Sequence, residues 1–184
     1  MHIFLTGERG VGKSTLLNKI ISDIIGRKAV DVGGFCTVAG EKQADGYEYI
    51  YIVPYSRASQ QDVALHQDKT PPVGARKKGG FPEAFNKYGV EKLRATLESD
   101  PMIIIMDELG FMESDAFEFQ KMVMNILDGE IPVFGVIKPR QTSFLDHIRE
   151  RDDVRIIEVT TDNRDDMADE IRGALMKQLH EEAK

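Results

Sequence analysis

The chain has 184 residues, a formal net charge of −7 and one cysteine, Cys36. That length suits a single α/β domain able to bury roughly 70% of the surface its unfolded form exposes. The acidic balance excludes a general nucleic-acid-binding surface, which needs a basic face against phosphates, and a lone thiol excludes an intrachain disulfide.

His2 to Thr6 reads as a short apolar strand, and Leu16, Leu17, Ile20, Ile21, Ile24 and Ile25 recur at helical spacing behind it until Gly26. Between the two lies Gly7-Glu8-Arg9-Gly10-Val11-Gly12-Lys13-Ser14, the pattern G-x-x-x-x-G-K-[ST]. Glycines let consecutive backbone N–H groups turn inward around phosphate oxygens, and the helix that opens at this loop adds its positive end. The loop from Gly7 through Thr15 is therefore the expected site of a nucleoside triphosphate such as ATP or GTP. Lys13 reaches the β- and γ-phosphates, and the Ser14 hydroxyl is a ligand for Mg²⁺. Gly7 follows Met1 so closely that no signal peptide is expected. No apolar run approaches the roughly 18 residues a membrane span needs, so a cytoplasmic protein is expected.

Ala29 to Val38, interrupted by Gly33-Gly34, and Tyr47 to Val53, behind the turn Asp45-Gly46, predict an antiparallel hairpin inserted in the sheet. Cys36 falls in its first strand and reads as a small packing residue, since nothing marks an activating partner. Residues 56 to 80 carry Pro71-Pro72, Gly74, Gly79-Gly80 and the cluster Arg76-Lys77-Lys78. They read as a long loop, either a solvated flap or a mobile lid that brings cations to the phosphates or to a second substrate. A helix is predicted from Pro82 to Ser99, with Val90, Leu93 and Leu97 inward.

Met102 to Met106 is the continuous apolar run of a central parallel strand, and it ends in Asp107-Glu108. Further on come a helix from Ser114 to Leu127, a strand from Pro132 to Ile137 and a helix from Ser143 to Arg151. A strand from Arg155 to Val159 and a last helix from Asp162 to about Glu181 complete the chain. The alternation predicts an α/β three-layer sandwich around a mostly parallel sheet, one P-loop domain over 1–184. In such sheets the ligand lies beyond the C-terminal strand ends, which brings Asp107 and Glu108 to the edge that holds the phosphate loop. Asp107 is then the second candidate Mg²⁺ ligand, and Glu108 the candidate base for water attacking the γ-phosphate. A further cation on the developing charge is sought among Arg9, Arg140, Arg149 and Arg151, with Arg149 taken as the candidate catalytic arginine. The four histidines show no zinc-ligand spacing.

Nearly the whole chain resembles the small P-loop nucleoside-triphosphatases that include the cancer-related nucleoside-triphosphatase. The resemblance rests on Ile3-Phe4-Leu5-Thr6-Gly7 into Gly10-Val11-Gly12-Lys13-Ser14, on Gly34-Phe35-Cys36-Thr37, and on Asp107-Glu108-Leu109-Gly110 with Met112-Glu113. The last block runs from Ile148-Arg149 through Val159-Thr160 to Asn163-Arg164. It implies slow, Mg²⁺-dependent hydrolysis of nucleoside triphosphates with broad tolerance of the base, and it puts Asn163 and Arg164 near base or ribose. Read from the residues alone, Asn163 equally suits a helix cap. Val38 to Asp45 lacks the arginines usual in the family, although Gly46-Tyr47 remains, and Arg9 stands where proline is frequent. Substrate preference and turnover are expected to differ accordingly. A nucleotide or small-molecule kinase, and a nucleotide-gated switch that binds a protein, use the same scaffold. Glu108 favours hydrolysis, and the absence of an Asn-Lys-x-Asp motif disfavours a dedicated GTPase switch.

Overall fold

The computed structural model describes residues 1–27, 29–55 and 70–181. The strands are β1 (His2–Thr6), β2 (Val32–Lys42), β3 (Glu48–Pro54), β4 (Gly74–Ala75), β5 (Gly79–Gly80), β6 (Ile103–Leu109), β7 (Val133–Ile137) and β8 (Val154–Glu158). The helices are α1 (Lys13–Arg27), α2 (Val90–Glu98), α3 (Phe117–Leu127), α4 (Ser143–Arg149) and α5 (Arg164–Glu181). All eight strands join one sheet in the order β5-β4-β3-β2-β6-β7-β1-β8. The stretch from β2 to β8 is parallel, and β3, β4 and β5 extend it antiparallel.

The apolar run of β6 is continuous because both faces of the sheet are covered. Ile103 and Ile105 pack with α1 and α5 through Ile20, Ile24, Ile171 and Leu175. Ile104 and Met106 pack on the other face with Leu93, Phe119, Val123 and Leu145, which gives the three layers. On that second face the Phe119 ring meets Phe35 and Phe85 at centroid distances of 5.7 and 5.3 Å. No helix among the described residues is long and apolar enough to cross a membrane.

Three local expectations change. The first hairpin strand starts at Val32 and runs to Lys42, because β2 is paired on both sides: Val32 to Cys36 align with β6, and Phe35 to Lys42 with β3. The long loop is partly sheet, since Gly74–Ala75 pair with Tyr49 and Ile50 and also with Gly79–Gly80. The rest of that expected lid, residues 56–69, lies outside the described residues. The helix predicted from Pro82 is a short turn, Pro82–Ala84, then a π-turn, Phe85–Gly89, then α2. Leu97 does not face the core but is 41% exposed, and Thr96 takes the inward place. α2 lies so close to β2 that a Cβ on Gly33 would meet the Thr96 methyl at 2.7 Å, leaving no room for leucine. The Thr96 hydroxyl accepts the Gly34 N–H at 3.1 Å and donates to the Lys92 carbonyl at 2.9 Å, which satisfies it in that buried position.

Candidate active site

The loop from Gly7 to Gly12 joins the end of β1 to the start of α1, with Gly7, Gly10 and Gly12 at φ of 135°, 87° and 97°. At Gly7 a side chain is impossible on two counts, the dihedral and the space, because its Cβ would lie 2.3 Å from the Val159 carbonyl oxygen. The loop is thereby pressed against the end of β8. Lys13 folds back over it, and its ammonium donates to the carbonyls of Gly7 at 2.8 Å and Glu8 at 2.7 Å. Burial holds the Lys13 pKa below the usual lysine value, against the opposing pull of Glu108 and Asp107.

The ends of β6 and β7 supply the other wall. Ser14 Oγ donates to Asp107 Oδ1 at 3.0 Å, so two residues 93 positions apart in the chain meet at one point. Asp107 is 9% exposed, and burial pushes its pKa up to about 6, with the Ser14 hydrogen bond acting the other way. A hydroxyl and a buried carboxylate this close form a hard-oxygen pair of the kind that holds Mg²⁺, with phosphate and water filling the remaining positions. The residues therefore fit that ion. Among the described residues no three His, Cys, Asp or Glu side chains converge on a metal position, so such an ion would depend on the nucleotide for the rest of its shell. Glu108 projects beside this pair, its backbone N–H donating to the Thr37 hydroxyl at 3.3 Å and its Oε1 lying 2.6 Å from the Lys138 ammonium.

Lys138, just past β7, belongs to no sequence motif. Its ammonium lies 5.5 Å from the Phe111 ring centroid, and the Arg140 guanidinium lies 4.6 Å from the same centroid. A cation immediately after an apolar strand was the only signal available for it. Glu113 belongs to the Met112-Glu113 part of the resemblance, with no role read from the residues themselves. It is 3% exposed, it accepts the Gly110 N–H, and burial pushes its pKa up to about 7. It shapes the loop that presents Phe111.

The other expected residues divide by position. Arg9, Thr15 and Arg140 line the same cleft as Lys13, Ser14, Asp107 and Glu108. Val11 packs instead against the core beneath α1, and Glu8 contributes its backbone carbonyl. Arg149 is not on the cleft wall: its guanidinium donates to Asp146 at 2.7 Å and to the Lys138 carbonyl, so it braces the backbone that carries Lys138. Arg151 binds Asp153 and Asp128 before β8, at the opposite edge of the sheet, out of reach of the phosphates. Asn163 Oδ1 accepts the Thr160 N–H at 2.8 Å, and Nδ2 donates to the Glu158 carbonyl at 2.9 Å, so the side chain builds the turn after β8. Arg164 lies over Gly12, where an added Cβ would be 3.4 Å from its guanidinium. Cys36 is held unreactive by burial, its thiol pushed up to about 12.

A mostly parallel sheet with a phosphate loop between β1 and α1, and with the helix-opening serine hydroxyl against the aspartate near the end of β6, defines a P-loop nucleotide-binding protein. Comparison narrows the class. The family model described as NTPase matches residues 2–172. The nucleoside-triphosphatase THEP1 of Thermotoga maritima is 32% identical over 176 residues, covering 95% of each chain. The cancer-related nucleoside-triphosphatase of Homo sapiens is 30% identical, covering 92% of this chain and 94% of the relative. The crystal structure of THEP1 from Aquifex aeolicus superposes with a TM-score of 0.65 at 27% identity, covering 95% of this chain and 99% of that one. The chain belongs to the NTPase family, and its enzyme class is that of a nucleoside-triphosphatase.

Proposed function

We propose that the chain hydrolyses nucleoside triphosphates to diphosphate and phosphate in a Mg²⁺-dependent, slow reaction with broad tolerance of the base, in the cytoplasm. The observation that carries this reading is the meeting of Ser14 and Asp107 at 3.0 Å in the cleft that also holds Lys13 and Glu108. The loop N–H groups bind the phosphates, and Lys13 exchanges its two backbone carbonyls for β- and γ-phosphate oxygens. Ser14 and Asp107 hold Mg²⁺, which when bound neutralises charge on the β- and γ-oxygens. Glu108 takes the proton of the attacking water, and Lys138, freed by that approach, faces the charge that builds on the γ-phosphoryl group. An ion pair of 2.6 Å has to loosen before Glu108 accepts a proton, which adds to the barrier and suits slow turnover. Arg149 acts as a positioning residue through the Lys138 carbonyl.

Base tolerance follows from what surrounds the far end of the phosphate loop. Asn163, the nearby amide able to read a base, spends its oxygen and nitrogen on the turn. Arg164 offers a planar guanidinium, on which any base can stack. Phosphate release should be measured with ATP, GTP, CTP and UTP across a Mg²⁺ titration. Release from all four that stops with a chelator is the expected result; metal-independent release, or release from one nucleotide alone, refutes the reading.

A further inference from the structure

The cleft continues well past the phosphate loop. It encloses about 1180 Å³, whereas pockets for one small molecule usually span roughly 300–1,000 Å³. Its direction matters more than its size. Ser14 and Asp107 meet beside β6, where the β,γ end of a triphosphate is expected, and Arg164, expected beside the base or ribose, lies over Gly12 on the β8 side. No residue of β8 or α5 lines the cleft, which extends the other way, over Ala39, Lys42, Glu48, Ile50, Arg76 and Lys77. That half lies beyond the γ-phosphate, and a nucleotide seated on the loop leaves it unfilled.

This distal half combines an apolar floor, Ala39 and Ile50, with three cations. Glu48 is committed to Arg76 at 2.8 Å, and neither Lys42 nor Lys77 has an ion-pair partner among the described residues. The turn that carries Lys77 is fixed in place. At Gly80 a Cβ would sit 1.7 Å from the Met112 carbonyl oxygen, so β5 is seated backbone against backbone on the loop that follows β6. The turn itself is closed by Arg76 N–H to Glu48 O at 2.9 Å and Lys78 N–H to Ala75 O at 3.1 Å. Lys78 turns away, its ammonium over the rings of Tyr47 and Phe81. Lys77 adopts φ of 68°, a left-handed conformation that glycine would take without strain, and it lines the cleft.

Resting on the reading of the Gly7–Ser14 loop as the triphosphate site, we propose that this distal half is a second ligand subsite for a small organic phosphomonoester of nucleoside-monophosphate size. Its phosphate binds Lys42 and Lys77, and its body lies over Ala39 and Ile50, on the γ-phosphate side of the bound triphosphate.

The test uses the full chain with Mg²⁺ and a saturating non-hydrolysable ATP analogue, so that the phosphate loop is filled. Adenosine 5′-monophosphate, ribose 5-phosphate and inorganic phosphate are titrated calorimetrically. Saturable binding of the monophosphate is expected, weaker binding of ribose 5-phosphate, and weakest of inorganic phosphate. Lys77→Gly removes the ammonium while fitting the left-handed turn without strain; together with Lys42→Gln it should weaken monophosphate binding by about tenfold or more, the effect of losing charge-assisted hydrogen bonds. Affinity for the analogue and basal phosphate release from ATP should stay within about twofold. No monophosphate binding with the loop filled, binding that the double variant leaves unchanged, or inorganic phosphate binding as tightly as the monophosphate overturns the proposal. A wild-type chain that binds the monophosphate but releases no phosphate from ATP supports the subsite and refutes the hydrolytic reading instead.

Discussion

Glu113→Gln should make stability less sensitive to pH, by an amount that follows from burial. Glu113 is 3% exposed, and its pKa is pushed up to about 7 by loss of solvent, with the Gly110 N–H and Lys138 acting against the shift. In the unfolded chain a glutamate titrates near 4.3, so the native state holds an extra proton between about pH 4.3 and pH 7. Stability therefore falls as pH rises through that window and is flat on either side. At about 1.36 kcal/mol per pKa unit, the full penalty above pH 7 is roughly 3 to 4 kcal/mol. Glutamine cannot ionise, yet its carbonyl still accepts the Gly110 N–H. Any fixed cost of the amide is the same at every pH, and Asp107, also raised by burial, is common to both proteins and cancels. Urea unfolding at steps from pH 4 to pH 8.5 should show the variant gaining roughly 3 kcal/mol relative to wild type across the range. For a chain of this length that is about 6–12 °C in Tm. Parallel pH profiles for the two proteins would refute the assignment of a buried, ionising carboxyl to the loop behind β6.

Glu108→Gln keeps shape and removes the base, so single-turnover hydrolysis should drop by about 10²- to 10⁴-fold while equilibrium nucleotide affinity is retained; a rate within a few-fold of wild type would make Glu108 structural. Asp107→Asn removes the buried negative charge beside Ser14, and a Mg²⁺ titration at fixed ATP should shift to higher concentration. Its failure to shift would leave the ion held by phosphate and water. Lys138→Met keeps an apolar stem over Phe111 without the ammonium, and kcat should fall by roughly 10²- to 10³-fold with little change in affinity for nucleoside diphosphate. An affinity loss of the same size would make Lys138 a ground-state binding residue.

The phosphate loop, the apolar strand ending in Asp107-Glu108 and the alternation that builds a three-layer α/β fold are all legible in the chain, because each depends on neighbours close in sequence. Glycine spacing sets the loop, a covered strand is apolar throughout, and helical period marks the inward faces of α1 and α5. Tertiary structure decided what depends on distant partners. Lys138 meets Glu108 because β6 and β7 are adjacent and end at the same edge. Arg149 turns to Asp146 and the Lys138 carbonyl because α4 packs beside that strand end. Thr96 displaces Leu97 because α2 closes on Gly33. The two short strands within the expected loop form because glycines there let backbone meet backbone, a pairing with no side-chain pattern to announce it. Local periodicity and turn chemistry specify elements and the phosphate motif, whereas the approach of one element to another, and hence which charges share a cleft, is set by packing that no short window of sequence contains.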